Sequence, residues 1–320
     1  MTQAGSDAPT PDGTTEPSSR LRRLSRLGLT VVVLGFVGYA GYGLAGQWDS
    51  SAVDIDWTYA LLSLAPLVVG SFVLATAWKV LLDRMTGQSV PTRRAIALHI
   101  ESQLARYLPG KVGIPLVRVA GASGLGVSGR VAGASLAVEM LSFLTVGGGV
   151  GFLLLTLTSS FARSTAAFLG SWTLVMLVAF GLGATALLVI DRRRLPAVVL
   201  RALKAEGSGP LMPARVPLVH VVYWLTWAAH GYLVSAAVGA PANAALAASG
   251  LYVLAPLVGL LALVAPAGIG VREAVLALGL ATSVGSAAAL VAVVLSRAAT
   301  LVVDFGVWLA TRRWSASRPA

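Results

Sequence analysis

The chain has 320 residues, of which 56% are apolar and 12% charged, and its mean hydropathy is +0.80. These values exclude an ordinary soluble domain, in which about 25% of residues are charged. The absence of cysteine excludes disulfides, thiolate catalysis and cysteine-ligated metal sites. The sequence therefore predicts an all-α polytopic membrane protein, whose net charge of +11 belongs to its loops and predicts no nucleic-acid partner.

The order of elements begins with a polar segment, residues 1–26, which we interpret as a disordered, basic cytoplasmic tail. A single transmembrane domain, 27–312, and a short cytoplasmic tail, 313–320, follow. Because a bilayer core of about 30 Å needs roughly 20 apolar residues per helix, we predict about six full spans. They cover residues 27–46, 57–82, 131–158, 165–190, 217–238 and 286–310.

Two further apolar runs are interrupted by proline and glycine. Residues 95–108 are too short to cross a bilayer, and they are followed by a break and a second short run, 112–122. Residues 244–264 and 271–282 flank a similar break. We interpret both pairs as re-entrant helical hairpins, the first opening to the cytoplasm and the second to the outside. The interrupting residues are Pro109, Gly110, Gly113, Pro266, Gly268 and Gly270.

The basic residues support this topology. All but Arg163, Arg272 and Arg297 of the 24 lysines and arginines fall on the predicted cytoplasmic side or in the first hairpin. Short cytoplasmic loops are rich in lysine and arginine, so this distribution predicts a multi-pass cell-membrane protein with both termini in the cytoplasm.

The two hairpins occupy corresponding places in a weak internal repeat. A shift of 157 residues aligns Pro109 with Pro266 and Gly113 with Gly270, and relates the halves 57–158 and 214–311. The halves would point in opposite directions, and inverted repeats with broken helices are typical of secondary transporters. The alternative is that two Pro/Gly kinks arose by chance in a glycine-rich membrane protein.

Charged side chains cluster around the breaks. A helix that begins inside the bilayer offers free N–H groups to an anion, and cations at the same place strengthen that site. The predicted substrate-binding residues are Arg106, Tyr107, Lys111, Arg272, Glu273 and Arg297. Glu139 and Asp304 are predicted to couple transport to a proton or to form structural ion pairs.

Simpler interpretations exist for several of these side chains. His99, Gln103 and Arg106 could extend toward water from the end of a helix. Glu139 could pair with Arg297 and join the two halves. Arg118 and Arg130 are interpreted as topology determinants. Packing or interfacial anchoring accounts most simply for Trp224, Trp227, His230 and Tyr232.

The motifs RYLPGKVG and APAGIGVREA, with an intramembrane Glu139 between them, resemble the flippase-like transmembrane domain of lysylphosphatidylglycerol synthases and of stand-alone relatives. The resemblance covers residues 62–312 and implies a stand-alone member without the synthase domain. The positions that match its pattern are Arg106, Pro109, Gly110, Lys111, Glu139, Gly268, Gly270, Arg272, Glu273 and Arg297.

The first hypothesis is a lipid translocase that moves the phosphate-bearing headgroup of a phospholipid or a polyprenyl-phosphate-type lipid, without cofactor or metal. The second is an intramembrane lipid-modifying transferase, although the sequence contains no HExxH or GxSxG motif. The third is a non-transporting partner subunit of a lipid or cell-envelope enzyme. A homo-oligomer or a lipid-synthesis enzyme partner is compatible with each hypothesis.

Overall fold

The structure is a computed structural model that describes residues 53–107, 112–157, 179–180, 182–183, 212–261 and 270–316. We number its helices α1 (Trp57–Leu62), α2 (Leu64–Thr86), α3 (Thr92–Leu104), α4 (Gly113–Gly121), α5 (Gly129–Leu157), α6 (Arg215–Ala237), α7 (Ala242–Leu261), α8 (Val271–Val284) and α9 (Ser286–Ala316). Short 3-10 turns, Ala105–Tyr107 and Ala122–Leu125, continue α3 and α4. Within these ranges there is no strand, so the all-α class is confirmed for them.

Four helical stretches in the described ranges are long and apolar enough to cross a membrane. They are Trp57–Thr86, Gly129–Leu157, Ala242–Leu261 and Ser286–Trp314. Helix α6 forms where a crossing was predicted, but it is not among these four. The predicted tail 1–26 and span 27–46 lie outside the described residues, as does span 165–190 apart from four helical residues. The total of six spans therefore stays a prediction.

Both interrupted runs form helix pairs whose arms are in contact, α3 with α4 and α7 with α8. In the first pair the arms approach closely at Gly113, where a Cβ atom would overlap the backbone carbonyl of Ala105. At the start of α8, Gly270 has φ +86°, a left-handed conformation that favours glycine. The residues of the breaks themselves, 108–111 and 262–269, lie outside the described part of the chain.

The second arm α7 is longer than the first arm α3. It has 20 residues against 13, so by length it is itself among the candidate spans, although we predicted it as one arm of a hairpin. The starts of two helices nevertheless keep the predicted register. Helix α5 begins at Gly129 and α9 at Ser286, a separation of 157 residues.

The long helices pack through small residues. Helix α2 lies along α6, and α7 contacts both α5 and α6. A Cβ atom at Gly250 of α7 would come within 2.9 Å of the carbonyl oxygen of Gly151 in α5, so the two backbones are close. Such contacts are typical of membrane helices, because small residues let backbones approach and gain dispersion energy. The first hairpin is held against the last helix by contacts of α3 with α9.

The short helices bury charge and expose apolar side chains. In α4, Arg118 is 2% exposed, whereas Leu116 is 63% exposed. In α8, Arg272 is 7% exposed and Leu278 is 75% exposed. Charged residues of membrane proteins face the protein interior because hydrocarbon cannot solvate them. This distribution supports a lipid environment around both hairpins.

Candidate functional site

Both hairpins contribute arginines to one cavity of about 160 Å³. Arg106 follows α3 and Arg118 lies in α4, so they belong to the first hairpin. Arg272 lies in α8, and Arg297 lies in α9 beside it. All four side chains line the same cavity. The structure thus brings together cations that are up to 191 positions apart along the chain.

Arg118 is neutralised within the first half. Its Nη1 donates to Glu139 Oε2 in α5, its Nε donates to Ser102 Oγ at 3.0 Å, and its Nη2 donates to a ring nitrogen of His99, 2.9 Å away. The guanidinium also lies 4.8 Å from the ring centroid of Trp78. Because Glu139 is only 3% exposed, this ion pair is deeply buried.

Arg272 has a different set of neighbours. Its Nη2 donates to Ser296 Oγ at 2.8 Å, and its guanidinium lies 5.1 Å from the ring centroid of Trp227. Ser296 Oγ is also 2.9 Å from His230 Nε2, and His230 Nδ1 is 3.0 Å from the carbonyl oxygen of Ser63. A carbonyl only accepts, so His230 Nδ1 carries the proton and Nε2 of the neutral ring accepts from Ser296.

A third group of contacts joins the two halves. The Tyr107 hydroxyl donates to Asp304 Oδ2 at 2.7 Å, and Arg106 Nη2 lies 3.6 Å from Asp304 Oδ1. The guanidinium of Arg297 lies 5.6 Å from the ring centroid of Tyr107. Because Asp304 and Arg297 belong to α9, the turn that ends the first arm is connected to the last helix of the second half.

Glu273 has two structural partners. Its Oε2 accepts from the backbone N–H of Gly270 at 2.8 Å and thereby caps the first turn of α8, and its Oε1 lies 3.6 Å from Arg297 Nη1. The positive end of α8 is therefore already offset by a carboxylate of the same helix. The cation of this hairpin that faces the cavity is Arg272.

The apolar part of the cavity wall is aromatic. Phe143 in α5 lies 4.6 Å from Trp224 in α6, measured between ring centroids, and its carbonyl oxygen accepts from Trp224 Nε1 at 3.0 Å. Trp227 and Tyr223 of the same helix also line the cavity. Aromatic rings combined with arginines form a surface that suits a charged group attached to an apolar chain.

The structure places the predicted site residues as follows. Arg106, Tyr107, Arg272 and Arg297 line the cavity together with Glu139. Asp304 and Glu273 hold three of these side chains in place. Lys111 and the break residues Pro109, Gly110, Pro266 and Gly268 lie outside the described ranges. A role for Glu139 or Asp304 in proton coupling stays a prediction.

Two sequence interpretations differ from the observed contacts. Glu139 pairs with Arg118 and not with Arg297, because α4 turns its arginine toward α5 while Arg297 lies beside Glu273. Arg118, interpreted as a topology determinant, is buried in the cavity wall. Its helical spacing from exposed Val112, Leu116 and Val119 carries the signal, since these three positions form one stripe away from Arg118.

In the described ranges, no group of three or more His, Asp or Glu residues could hold a metal ion. The site instead offers hydrogen-bond donors with positive charge beside aromatic surface.

Residues 24–307 match the family model described as the lysylphosphatidylglycerol synthase TM region. No curated protein sequence matches the chain significantly.

Proposed function

The chain belongs to the family of the lysylphosphatidylglycerol synthase TM region, and we propose that it is a lipid translocase rather than an enzyme. It would move a phosphate-bearing headgroup between the two leaflets of the membrane. The observation that carries this proposal is a cavity that four described arginines line together, two from each half of the chain.

The chemistry of the cavity fits a phosphate group. Arginine presents planar N–H donors that match phosphate oxygens, and its charge persists at any physiological pH. The aromatic side chains Phe143, Trp224 and Trp227 provide apolar surface for the glycerol or the first methylene groups of the lipid. A purely cationic headgroup would be repelled by this lining.

The outer surface of the hairpins fits the acyl chains. Leu116 and Val119 of α4, and Leu278 of α8, point away from the protein and are exposed. A lipid could therefore keep its tails against these faces, in the bilayer, while its headgroup occupies the charged cavity. This arrangement avoids moving the apolar tails through the protein.

The register of helix starts supports an internal repeat. The separation of 157 residues between the starts of α5 and α9 matches the register predicted from the breaks. We propose that the two halves point in opposite directions and expose the cavity alternately to each leaflet, as inverted repeats do in secondary transporters.

The transport proposal is tested with purified full-length chain in proteoliposomes. The measurement follows loss of signal from a fluorescent phospholipid or polyprenyl-phosphate analogue after a membrane-impermeant quencher is added. We expect faster movement than in protein-free liposomes and a strongly reduced rate for Arg272→Gln. The exposed Arg130 provides the matched control, because Arg130→Gln removes a cation outside the cavity. Movement no faster than in protein-free liposomes would refute the proposal.

The same proteoliposomes separate the alternatives. A transferase would change the headgroup composition, which mass spectrometry of the extracted lipids detects. A non-transporting subunit would show neither lipid movement nor a new lipid.

The topology proposal has its own test. The chain contains no cysteine, so single cysteines can be introduced without removing any native ones. Ser123 and Ser283 lie near the outer turns of the two hairpins, and both are exposed. We expect an impermeant maleimide to reach Ser123→Cys from the cytoplasmic side and Ser283→Cys from the opposite side. Labelling of both from one side would exclude oppositely oriented hairpins.

A further inference from the structure

We propose that, among the described residues that line the cavity, Arg272 is the cation left for the ligand, and that the site selects a group with a single negative charge, such as a phosphodiester. Ser296 and His230 are its positioning residues. The identification of that ligand as a lipid headgroup rests on the proposed function; the assignment of the anion site does not.

The four arginines differ in how their charges are compensated. Arg118 faces Glu139, Arg106 faces Asp304 at 3.6 Å, and Arg297 faces Glu273 at 3.6 Å. Within the described ranges, no carboxylate oxygen lies within 4.0 Å of the Arg272 guanidinium. One positive charge of the cavity lining is therefore uncompensated by a contact of this kind.

Arg272 also has unused hydrogen-bonding capacity. It is 7% exposed, and its buried Nε has no hydrogen-bond partner in the described part of the chain. Burying an unpaired cation is strongly unfavourable, and leaving a donor unsatisfied adds to that cost. A ligand anion in the cavity would remove both penalties at once, which identifies Arg272 as its binding group.

Comparison of the halves shows how this asymmetry arises. Each hairpin places an arginine over a tryptophan, Arg118 over Trp78 and Arg272 over Trp227. Each arginine also bonds to the following long helix. In the 157-residue register, Glu139 of α5 corresponds to Ser296 of α9, and these are the two bonding partners. The first half supplies a carboxylate where the second half supplies a neutral hydroxyl.

Ser296 and His230 orient Arg272 without neutralising it. The Ser296 hydroxyl donates to His230 Nε2, so its lone pairs accept from Arg272 Nη2. His230 is itself held by the carbonyl of Ser63, and both Ser296 and His230 are fully buried. The hydroxyl thus fixes one edge of the guanidinium, while Nε has no hydrogen-bond partner in the described part of the chain.

The charge of the ligand follows from the same count. Three carboxylates compensate three of the four arginines in the described lining, so one negative charge on the ligand balances the charge of these described residues. A phosphodiester carries one charge, whereas a phosphomonoester carries nearly two at a pH well above its second pKa of about 6. The second charge would meet no uncompensated arginine in the described cavity lining, and its desolvation would disfavour binding.

Equilibrium binding to the detergent-solubilised full-length chain tests the assignment. The probes are radiolabelled dihexanoyl phosphatidylmethanol, a minimal monoanionic diester, and dihexanoyl phosphatidic acid at about pH 8, where the monoester is nearly dianionic. We expect the diester to bind at least several-fold more tightly than the monoester. Equal or tighter binding of the monoester would overturn the single-charge selectivity.

The key variant pair is Ser296→Asp and Ser296→Asn, which differ by one charge at nearly equal size. Asp at this position gives Arg272 a carboxylate, so diester binding should weaken roughly tenfold or more relative to Asn. Equal binding by the two variants would overturn the assignment. If Ser296→Asp does not elute as a monodisperse peak, Arg272→Gln is compared with Arg130→Gln, which removes an exposed cation that does not line the described cavity. We expect loss of binding only in Arg272→Gln, and equal loss in both would also refute the proposal.

The outcome is separable from that of the transport assay. Diester binding that depends on Arg272, without lipid movement in proteoliposomes, would keep the anion site and refute the translocase. Lipid movement whose rate is unchanged in Ser296→Asp would keep the translocase and refute the anion site at Arg272.

Discussion

The ion pair between Arg118 and Glu139 gives the sharpest prediction about stability. Both side chains are nearly fully buried, and the pair is formed by α4 and α5. Removing one partner leaves an uncompensated charge inside the protein, which costs about 3–5 kcal/mol in comparable cases. We therefore expect Glu139→Gln and Arg118→Met each to lower the free energy of unfolding by about this amount.

The double variant Arg118→Met/Glu139→Gln contains neither charge. Its loss should be smaller than the sum of the single losses by about 2 kcal/mol or more, because contacting residues of a network are not additive. The measurement is reversible unfolding in mixed micelles titrated with sodium dodecyl sulfate, followed by helical circular dichroism. Additive losses, with a coupling energy near zero, would refute the reasoning.

A matched control exists in α2. Lys79 pairs with Asp83 one turn away, and both side chains are partly exposed. Exposed pairs of this kind contribute about 0–1 kcal/mol. Lys79→Met should therefore change the free energy of unfolding by less than about 1 kcal/mol in the same titration. A loss of unfolding free energy as large as that of Arg118→Met would mean that burial does not explain the contribution of the Arg118–Glu139 pair to stability.

Three further predictions use the same unfolding assay. Gly113→Ala should lower the free energy of unfolding by about 1–3 kcal/mol, because the added Cβ overlaps the carbonyl of Ala105. Gly124→Ala is the control, since its Cβ meets open space, and equal effects of the two variants would contradict the close approach of α3 and α4. Gly147→Ala should destabilise by a similar amount, because the added Cβ overlaps the indole of Trp224. Gly306→Ala has open space around it and should be neutral or stabilise by up to about 1 kcal/mol, so the reverse order would argue against the packing of α5 on α6. Tyr107→Phe should cost about 1.5–3 kcal/mol, because its hydroxyl donates to the carboxylate of Asp304; no loss would mean that this bond does not connect the halves.

The helix ends were predictable because their causes are local. Proline lacks an N–H donor and glycine tolerates unusual backbone angles, so the run QLARYLPGKVG has to stop a helix wherever the tertiary structure places it. The structure accordingly ends α3 at Leu104 and begins α4 at Gly113. Arg106, near the first break, belongs to the same stretch of sequence.

The pairing within the site was not predictable in the same way. Arg118 and Glu139 are 21 residues apart, and their contact depends on how α4 rotates about its axis. The stripe of Val112, Leu116 and Val119 indicates that rotation, but only if these side chains are assumed to face lipid. The interpretation of Arg118 as a topology determinant did not consider that this residue lies on the buried side of the last turn of α4.

The positioning residues of Arg272, Ser296 and His230, were harder to predict from the sequence. His230 bonds to groups 167 and 66 residues away, so no local pattern distinguishes it from an ordinary packing histidine. Ser296 is one of several small polar residues in α9. The 157-residue register, in which Ser296 corresponds to Glu139, is the sequence feature that distinguishes this serine. That correspondence becomes informative once the contacts of Arg118 with Glu139 and of Arg272 with Ser296 are known.

The stacking of Arg272 on Trp227 also gives the protein an intrinsic optical reporter. Indole emission shifts with the local electric field, and a guanidinium 5.1 Å from the ring centroid is a large part of that field. An anion that docks on Arg272 changes the field at the indole, so occupancy of the cavity should alter native emission without any attached dye. Seven other tryptophans contribute background, and the difference spectrum against Trp227→Phe isolates the signal.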